Sequence, residues 1–192
     1  MRIWISGCGG MMGSQLCGAL VAAGHDVLAS YYKPTVDSAD LADLPLEEVD
    51  IRDWCSVYDS LTRFRPDAVF HLAAQSYPTA SWQRPIETLE TNVIGTANVL
   101  EAVRRLNANV RVVVAGSSAE YGAVDPRQTP ISENAPLLPC THTAYPRSRP
   151  TCLRTSTGPA SGSMRCAFGF STAPVRARLA MHCPTSCAAR SG

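Results

Sequence analysis

Lysine is almost absent from this sequence: Lys33 is the only one among 192 residues. A dominant charge is lacking too, with 17 basic against 16 acidic residues and a formal charge of +1. That balance gives no case for nucleic acid or a membrane surface as the general partner. No apolar run approaches the ~20 residues of a membrane helix, which excludes a spanning helix, and no membrane partner is expected. Met1 to Ser6 run straight into glycines, with no small-residue cleavage site after a long apolar core, so a cytoplasmic protein without a secretory leader is expected.

Acids are missing from one region. None of the 16 lies beyond Pro139, and residues 1–139, with ten basic side chains, carry a formal −6. Residues 140–192 hold seven arginines, no Asp, Glu or Lys, and five of the eight cysteines. The chain therefore divides into a domain over 1–139 and an anomalous basic tail over 140–192, expected to be disordered. Three readings of the tail stand side by side. It is a basic arm for nucleic acid, although such arms normally use lysine as well. It is a cysteine-linked or metal-binding segment, although Cys183 and Cys187 form its only close pair, with His182 the only nearby histidine. Or it is read out of frame. Codons compatible with the residues from Pro139 onward, read one base out of register, permit V-H-P-Y-G-V-S-K-V-A-A-D-L-L-A-Y-Q-Y-W. A single offset thus returns helical apolar spacing, acids and lysines, and the frameshift is the preferred reading. No metal site is assigned.

Before Pro139 strands and helices alternate. Arg2–Ser6 reads as an apolar strand, Met11–Ala23 as a helix closed by Gly24-His25, and Asp26–Ser30 as a second strand. Glu48–Asp50 reads as a third strand. Asp53 can cap a helix through Phe64, which Pro66-Asp67 ends. Ala68–Ala73 reads as a buried strand, Pro85 to about Leu106 as one long helix, and Val110–Gly116 as another strand. This alternation predicts an α/β fold, a Rossmann-type doubly wound parallel sheet covered on both faces.

Gly7-Cys8-Gly9-Gly10-Met11-Met12-Gly13 fits G-x-x-G-x-x-G directly after the first strand. Gly7 permits a tight turn, Gly10 lets backbone N–H groups approach a pyrophosphate at the helix N-terminus, and Gly13 allows close helix–sheet packing. The strand–turn–helix setting makes dinucleotide binding the expected function, with Met11 and Met12 in the first helical turn beside the phosphates. Ser30-Tyr31-Tyr32-Lys33 offers no carboxylate for a ribose 2′-hydroxyl, whereas Lys33 suits a 2′-phosphate. NADP is therefore preferred over NAD. Asp50 and Ile51 follow the third strand and either flank the adenine or, for Asp50, cap the next helix.

Five segments together resemble the extended short-chain dehydrogenase/reductase family, the NAD-dependent epimerases and dehydratases of nucleotide sugars. They are GCGGMMG (Gly7–Gly13), VDIRD (Val49–Asp53), FHLAAQS (Phe70–Ser76), TNVIGTANVLEA (Thr91–Ala102) and GSSAEYG (Gly116–Gly122). The likeness covers Met1 to about Pro139. HLAAQS with Ser81-Trp82, and P-I-S-E-N-A-P-L-L-P from Pro130, are similar to the branch of GDP-mannose 4,6-dehydratase and GDP-4-keto-6-deoxymannose reductase.

That resemblance implies roles. Gly7, Gly10 and Gly13 would contact the pyrophosphate, and Asp50 and Ile51 would bracket the adenine. Leu72, Ala73, Ala74 and Gln75 would line the ribose and nicotinamide side. Asn92 matches the family's structural helix asparagine, grouped with Ser117 among the cofactor-side residues. Ser118 matches the catalytic Ser/Thr that hydrogen-bonds the sugar O4, and Glu120 the base that removes the C5 proton in dehydratases. Ala119 departs from the dehydratase pattern, in which this position helps deliver a proton, and either favours a 4-keto reductase or leaves the acid to come from elsewhere. His71 reads as a core residue without chemistry, and Trp82 as bordering the substrate or packing. The family's Y-x-x-x-K is absent: Tyr145 precedes Arg149, but Pro146 and Pro150 disfavour the helix. The shifted frame supplies Y-G-V-S-K. The chain thus lacks the C-terminal substrate-binding part and is expected to bind cofactor without turnover. The substrate implied is a GDP-hexose, and a homodimer through a helical face is implied as well.

Overall fold

The computed structural model describes residues 1–36, 44–106, 109–132 and 134–138, together with a strand at Cys166–Ala167. Tyr145, Arg149 and nearly all of the basic tail lie outside the described residues. A parallel sheet is built from β1 (Arg2–Ser6), β2 (Asp26–Tyr31), β3 (Leu46–Glu48), β4 (Ala68–His71), β5 (Arg111–Val114) and β6 (Cys166–Ala167), in the order β3-β2-β1-β4-β5-β6. The chain turns back between β1 and β4, which makes the C-terminal ends of these strands the switch point where ligands of such sheets bind.

The helices are α1 (Met11–Ala22), α2 (Trp54–Phe64), α3 (Pro78–Gln83), α4 (Pro85–Leu89) and α5 (Gly95–Arg105). Alternation along β1 and β2 sorts the core into two layers. Ile3, Ile5, Val27 and Ala29 face α1 with Cys8 and Cys17. Trp4, Val69 and Val112 face Val57 and Leu61 of α2 and Val99 and Val103 of α5. Trp4 is fully buried, and its indole N–H donates to Ser60 Oγ at 2.9 Å, which in turn donates to Glu47. Asp53 caps α2 as expected, accepting from the N–H groups of Cys55 and Ser56. Asp50 therefore does not cap it.

Several boundaries differ from the sequence reading. The third strand runs over Leu46–Glu48, two residues earlier than expected. Val49 is apolar because it is buried just beyond the strand, where its N–H still bonds the Tyr31 carbonyl. β2 extends one residue further, α1 ends at Ala22, and β5 stops at Val114. β4 stops at His71, although the Leu72 N–H still donates to the Ser6 carbonyl at 3.1 Å; Leu72 packs against the layer of Ile3 and Ile5 and Ala73 against that of Trp4 and Val69. The expected long helix from Pro85 runs without interruption to Arg105, α4 and α5 being joined by a π-helical turn over Glu90–Ile94. Helix α3, the 3₁₀ turn at Ser118–Tyr121 and β6 had no counterpart in the sequence reading.

Candidate functional site

The glycine turn sits where β1 ends. Gly7 adopts φ +80°, and a Cβ there would lie 2.5 Å from the Ala73 nitrogen. Gly13 backs directly onto Gly7 and Cys8, so a Cβ would overlap the Gly7 carbonyl oxygen and stand 2.7 Å from Cys8 Cα. Gly10 is different. A Cβ on it would meet nothing closer than the Gly7 oxygen at 3.4 Å, an ordinary contact. The fold itself does not demand glycine at that position. The turn is tied to β2 through Cys8 N–H to the Ser30 carbonyl (2.9 Å), and Gly9 accepts from Thr35 N–H (2.7 Å).

No side chain caps α1, although its first-turn amides have no partner inside the helix. Met11 and Met12 there are 70% and 49% exposed. An uncapped helix start behind a glycine turn, with an open Gly10, fits a pyrophosphate: backbone donors and the helix dipole both favour an anion. Cys8 belongs to the structure of the turn. Its thiol donates to the Gly13 carbonyl, and the hydrogen bond with Cys17, then burial, push its pKa up, so it remains a neutral packing group.

At the end of β2, Lys33 adopts φ +48° and its ammonium stands 5.1 Å from the Tyr32 ring centroid. Arg52 stacks on the same ring at 5.5 Å and clasps Asp50, its nearest contact 2.6 Å. That clasp holds the Asp50 carboxyl below the usual carboxylate range. Ile51 is 5% exposed and packs its side chain against Gly95, so only its backbone could face a ligand.

The loop after β4 is gripped at both ends. Ala73 N–H donates to Ser6 Oγ (3.3 Å), and Asn92 from the π-turn brackets Gln75, accepting from its N–H (2.8 Å) and donating to its carbonyl (3.0 Å). Asn92 thus acts on the site through Gln75. His71, expected to be a core residue, is 3% exposed and bonds Ser6 and Thr96. Ser6, Thr96 and Arg52 were not singled out in the sequence. Ser6 merely ends an apolar strand. Thr96 lies one helical turn after Asn92, the one signal that pointed to it.

Beyond β5, Ser117 N-caps the 3₁₀ turn and Glu120 completes a capping box by accepting from Ser117 N–H at 2.7 Å. Glu120 is buried, and one of its oxygens occupies the space that a Cβ on Gly116 would need. Ser118 is exposed. Trp82 is 62% exposed, which argues against the packing role, while its neighbour Ser81 is buried and donates to the Pro78 carbonyl. Among the described residues, no group of three or more His, Cys, Asp or Glu could hold a metal, and no helix is long and apolar enough to cross a membrane.

Residues 3–153 match the model of the NAD dependent epimerase/dehydratase family. This chain belongs to that family. Its curated relatives include CDP-glucose 4,6-dehydratase of Salmonella typhimurium, 38% identical over 119 residues (59% of this chain, 33% of the relative). GDP-mannose 4,6-dehydratase of Vibrio cholerae is 31% identical over 149 residues (70% and 40%). Among solved structures, UDP-glucose 4-epimerase of Thermus thermophilus in complex with NAD aligns with TM-score 0.74 and 29% identity, over 81% of this chain and 50% of that one. The chain spans less than half the length of these curated relatives and half of the solved chain. The family members it resembles carry CDP, GDP and UDP in their names, so the family is shared while the GDP-mannose branch is not singled out.

Proposed function

We propose that this chain is the dinucleotide-binding part of an NAD(P)-dependent nucleotide-sugar-modifying enzyme, of the GDP-mannose 4,6-dehydratase or GDP-4-keto-6-deoxymannose reductase type. The observation that carries it is the glycine turn. Gly7 and Gly13 are required by the fold, Gly10 is not, and the helix behind it has no side-chain cap. An anion against that backbone is the economical reason for a glycine there. Gly7, Gly10, Met11, Met12 and Gly13 would hold the pyrophosphate. Asp50 and the Ile51 backbone would flank the adenine, and Leu72 to Gln75 the nicotinamide side. When bound, the nicotinamide supplies a hydride acceptor and donor for the sugar C4. Ser118, exposed beyond β5, would orient the sugar O4.

Lys33 supports NADP, as an exposed cation at the end of β2 in a segment, Ser30 to Lys33, that offers no carboxylate of its own. GDP is favoured over other nucleotides by the His71–Ser76 and Pro130–Pro139 segments. Glu120 supports cofactor binding without turnover, because its carboxylate is engaged by the Ser117 backbone and is withdrawn from the role of a C5 base. The test has two arms. Calorimetry of this chain should show saturable binding of NADP+ or NAD+, and incubation with GDP-mannose and cofactor should show no product. Turnover is expected only from a chain carrying the Y-G-V-S-K reading after Pro139. Absence of dinucleotide binding would overturn the proposal, and turnover by this chain would overturn its second half.

A further inference from the structure

The hydrogen bonds of the buried polar row beneath the loop after β4 have a direction. Ala73 N–H can only donate, and it donates to Ser6 Oγ at 3.3 Å. Thr96 follows Asn92 by four residues and donates its one proton to the Asn92 carbonyl at 2.8 Å. With that proton used, Thr96 Oγ1 accepts from His71 Nε2 at 2.9 Å. A neutral imidazole has one N–H, so Nδ1 is the acceptor and Ser6 Oγ donates to it at 2.7 Å. Ser6 then accepts from Ala73 and gives to His71, with no conflict.

The chain of bonds runs from Ala73 through Ser6, His71 and Thr96 to Asn92, and the Asn92 side chain returns it to Gln75. It encloses Ala74 between two held peptides. All four side chains of the circuit are at most 5% exposed. Beside them lies a cavity of ≈ 10 Å³ lined in part by His71, Asn92 and Thr96, room for a single water at most. His71 therefore does not meet a substrate.

We infer that His71, neutral and in its Nε2–H tautomer, is a positioning residue that fixes the 73–75 loop for the nicotinamide-side half of the dinucleotide. This rests on the dinucleotide reading given above. A merely structural histidine would affect the whole domain alike, whereas a positioning histidine affects one half of the ligand.

The experiment combines ¹⁵N NMR of His71 with titrations of NADH, NADPH and ADP. Thr96→Val keeps the shape of the side chain and removes the acceptor for Nε2–H, and Ser6→Ala removes the other link. The expected result is the Nε2–H tautomer at pH 7 in the unaltered chain. Thr96→Val should then weaken the dinucleotide that the chain binds by about tenfold, a cost in the range of one buried unpaired donor. ADP affinity should stay within about twofold. Thr96→Ser should restore the dinucleotide affinity, and Ser6→Ala with Thr96→Val should cost less than the sum of the two. An Nδ1–H tautomer or an imidazolium in the unaltered chain overturns the inference whether or not the variants fold. So does equal weakening of ADP and dinucleotide. A chain that binds no dinucleotide at all, with His71 still in its Nε2–H tautomer, overturns the dinucleotide reading and leaves the hydrogen-bond circuit standing.

Discussion

Three glycines that look alike in the sequence do different work. Gly13→Ala puts a methyl group into the backbone of Gly7 and Cys8, atoms that no side-chain rotation can move. Gly10→Ala meets only an ordinary contact at 3.4 Å. Denaturant unfolding should therefore show Gly13→Ala losing about 3 kcal/mol or more, and Gly10→Ala staying within about 1 kcal/mol of the parent. Equal instability of the two would mean that Gly10 is structural and would remove its assignment to a ligand. Gly7 and Gly13 were legible in the sequence because steric demand leaves glycine as the only solution and the spacing is local. Ser6, His71 and Thr96 were not legible as a unit. Their bonds join residues 65 and 25 positions apart, and nothing in a local pattern reports a partner at that distance. Glu120 was legible as a carboxylate in a recognisable segment, but its capping bond depends on the 3₁₀ turn that only the fold shows.

At the scale of elements, α2 and α5 cover the face of the sheet that carries Trp4 and Val69. Leu61 is fully buried in that layer, and Leu61→Ala should lower the unfolding free energy by about 3 kcal/mol. A loss under about 1 kcal/mol would mean that α2 is not held against the sheet as described. The end of α5 places Arg104 and Arg105 on Glu101, and their hydrogen bonds hold its carboxyl down at about 2, from an ordinary 4.5. A depressed carboxylate stabilises the folded state fully above its unfolded value. That contribution is lost as pH falls from about 4.5 toward 2. Because the pair is exposed, the effect is small. Glu101→Gln should flatten that part of the Tm-versus-pH curve and leave the curve above pH 6 parallel to the parent's. The identity of most elements could be read from apolar spacing, while their ends could not. The π-turn at Glu90–Ile94 inserts one residue into a helical pattern, and a period of 3.6 is blind to it. Leu72 and Ala73 read as strand because they are apolar, and they are half-buried just past its end, Leu72 against one core layer and Ala73 against the other.

For the whole molecule, the sheet order sets the site. With β1 and β4 adjacent, the glycine turn, the gripped 73–75 loop and the end of β2 all lie at one end of the sheet. Strand–helix alternation already implied this arrangement. The edge strand β6, which pairs Cys166 and Ala167 with Val112 and Val113, could not be foreseen from a tail without apolar periodicity. The central claim is that this end of the sheet receives a dinucleotide through a glycine that the fold does not need. Calorimetric titration of the parent and of Gly10→Ala with NAD+ and NADP+ tests it most directly. The parent should bind at least one of them, and Gly10→Ala, folded and equally stable, should bind it at least about tenfold more weakly. Unchanged affinity in Gly10→Ala would contradict the claim.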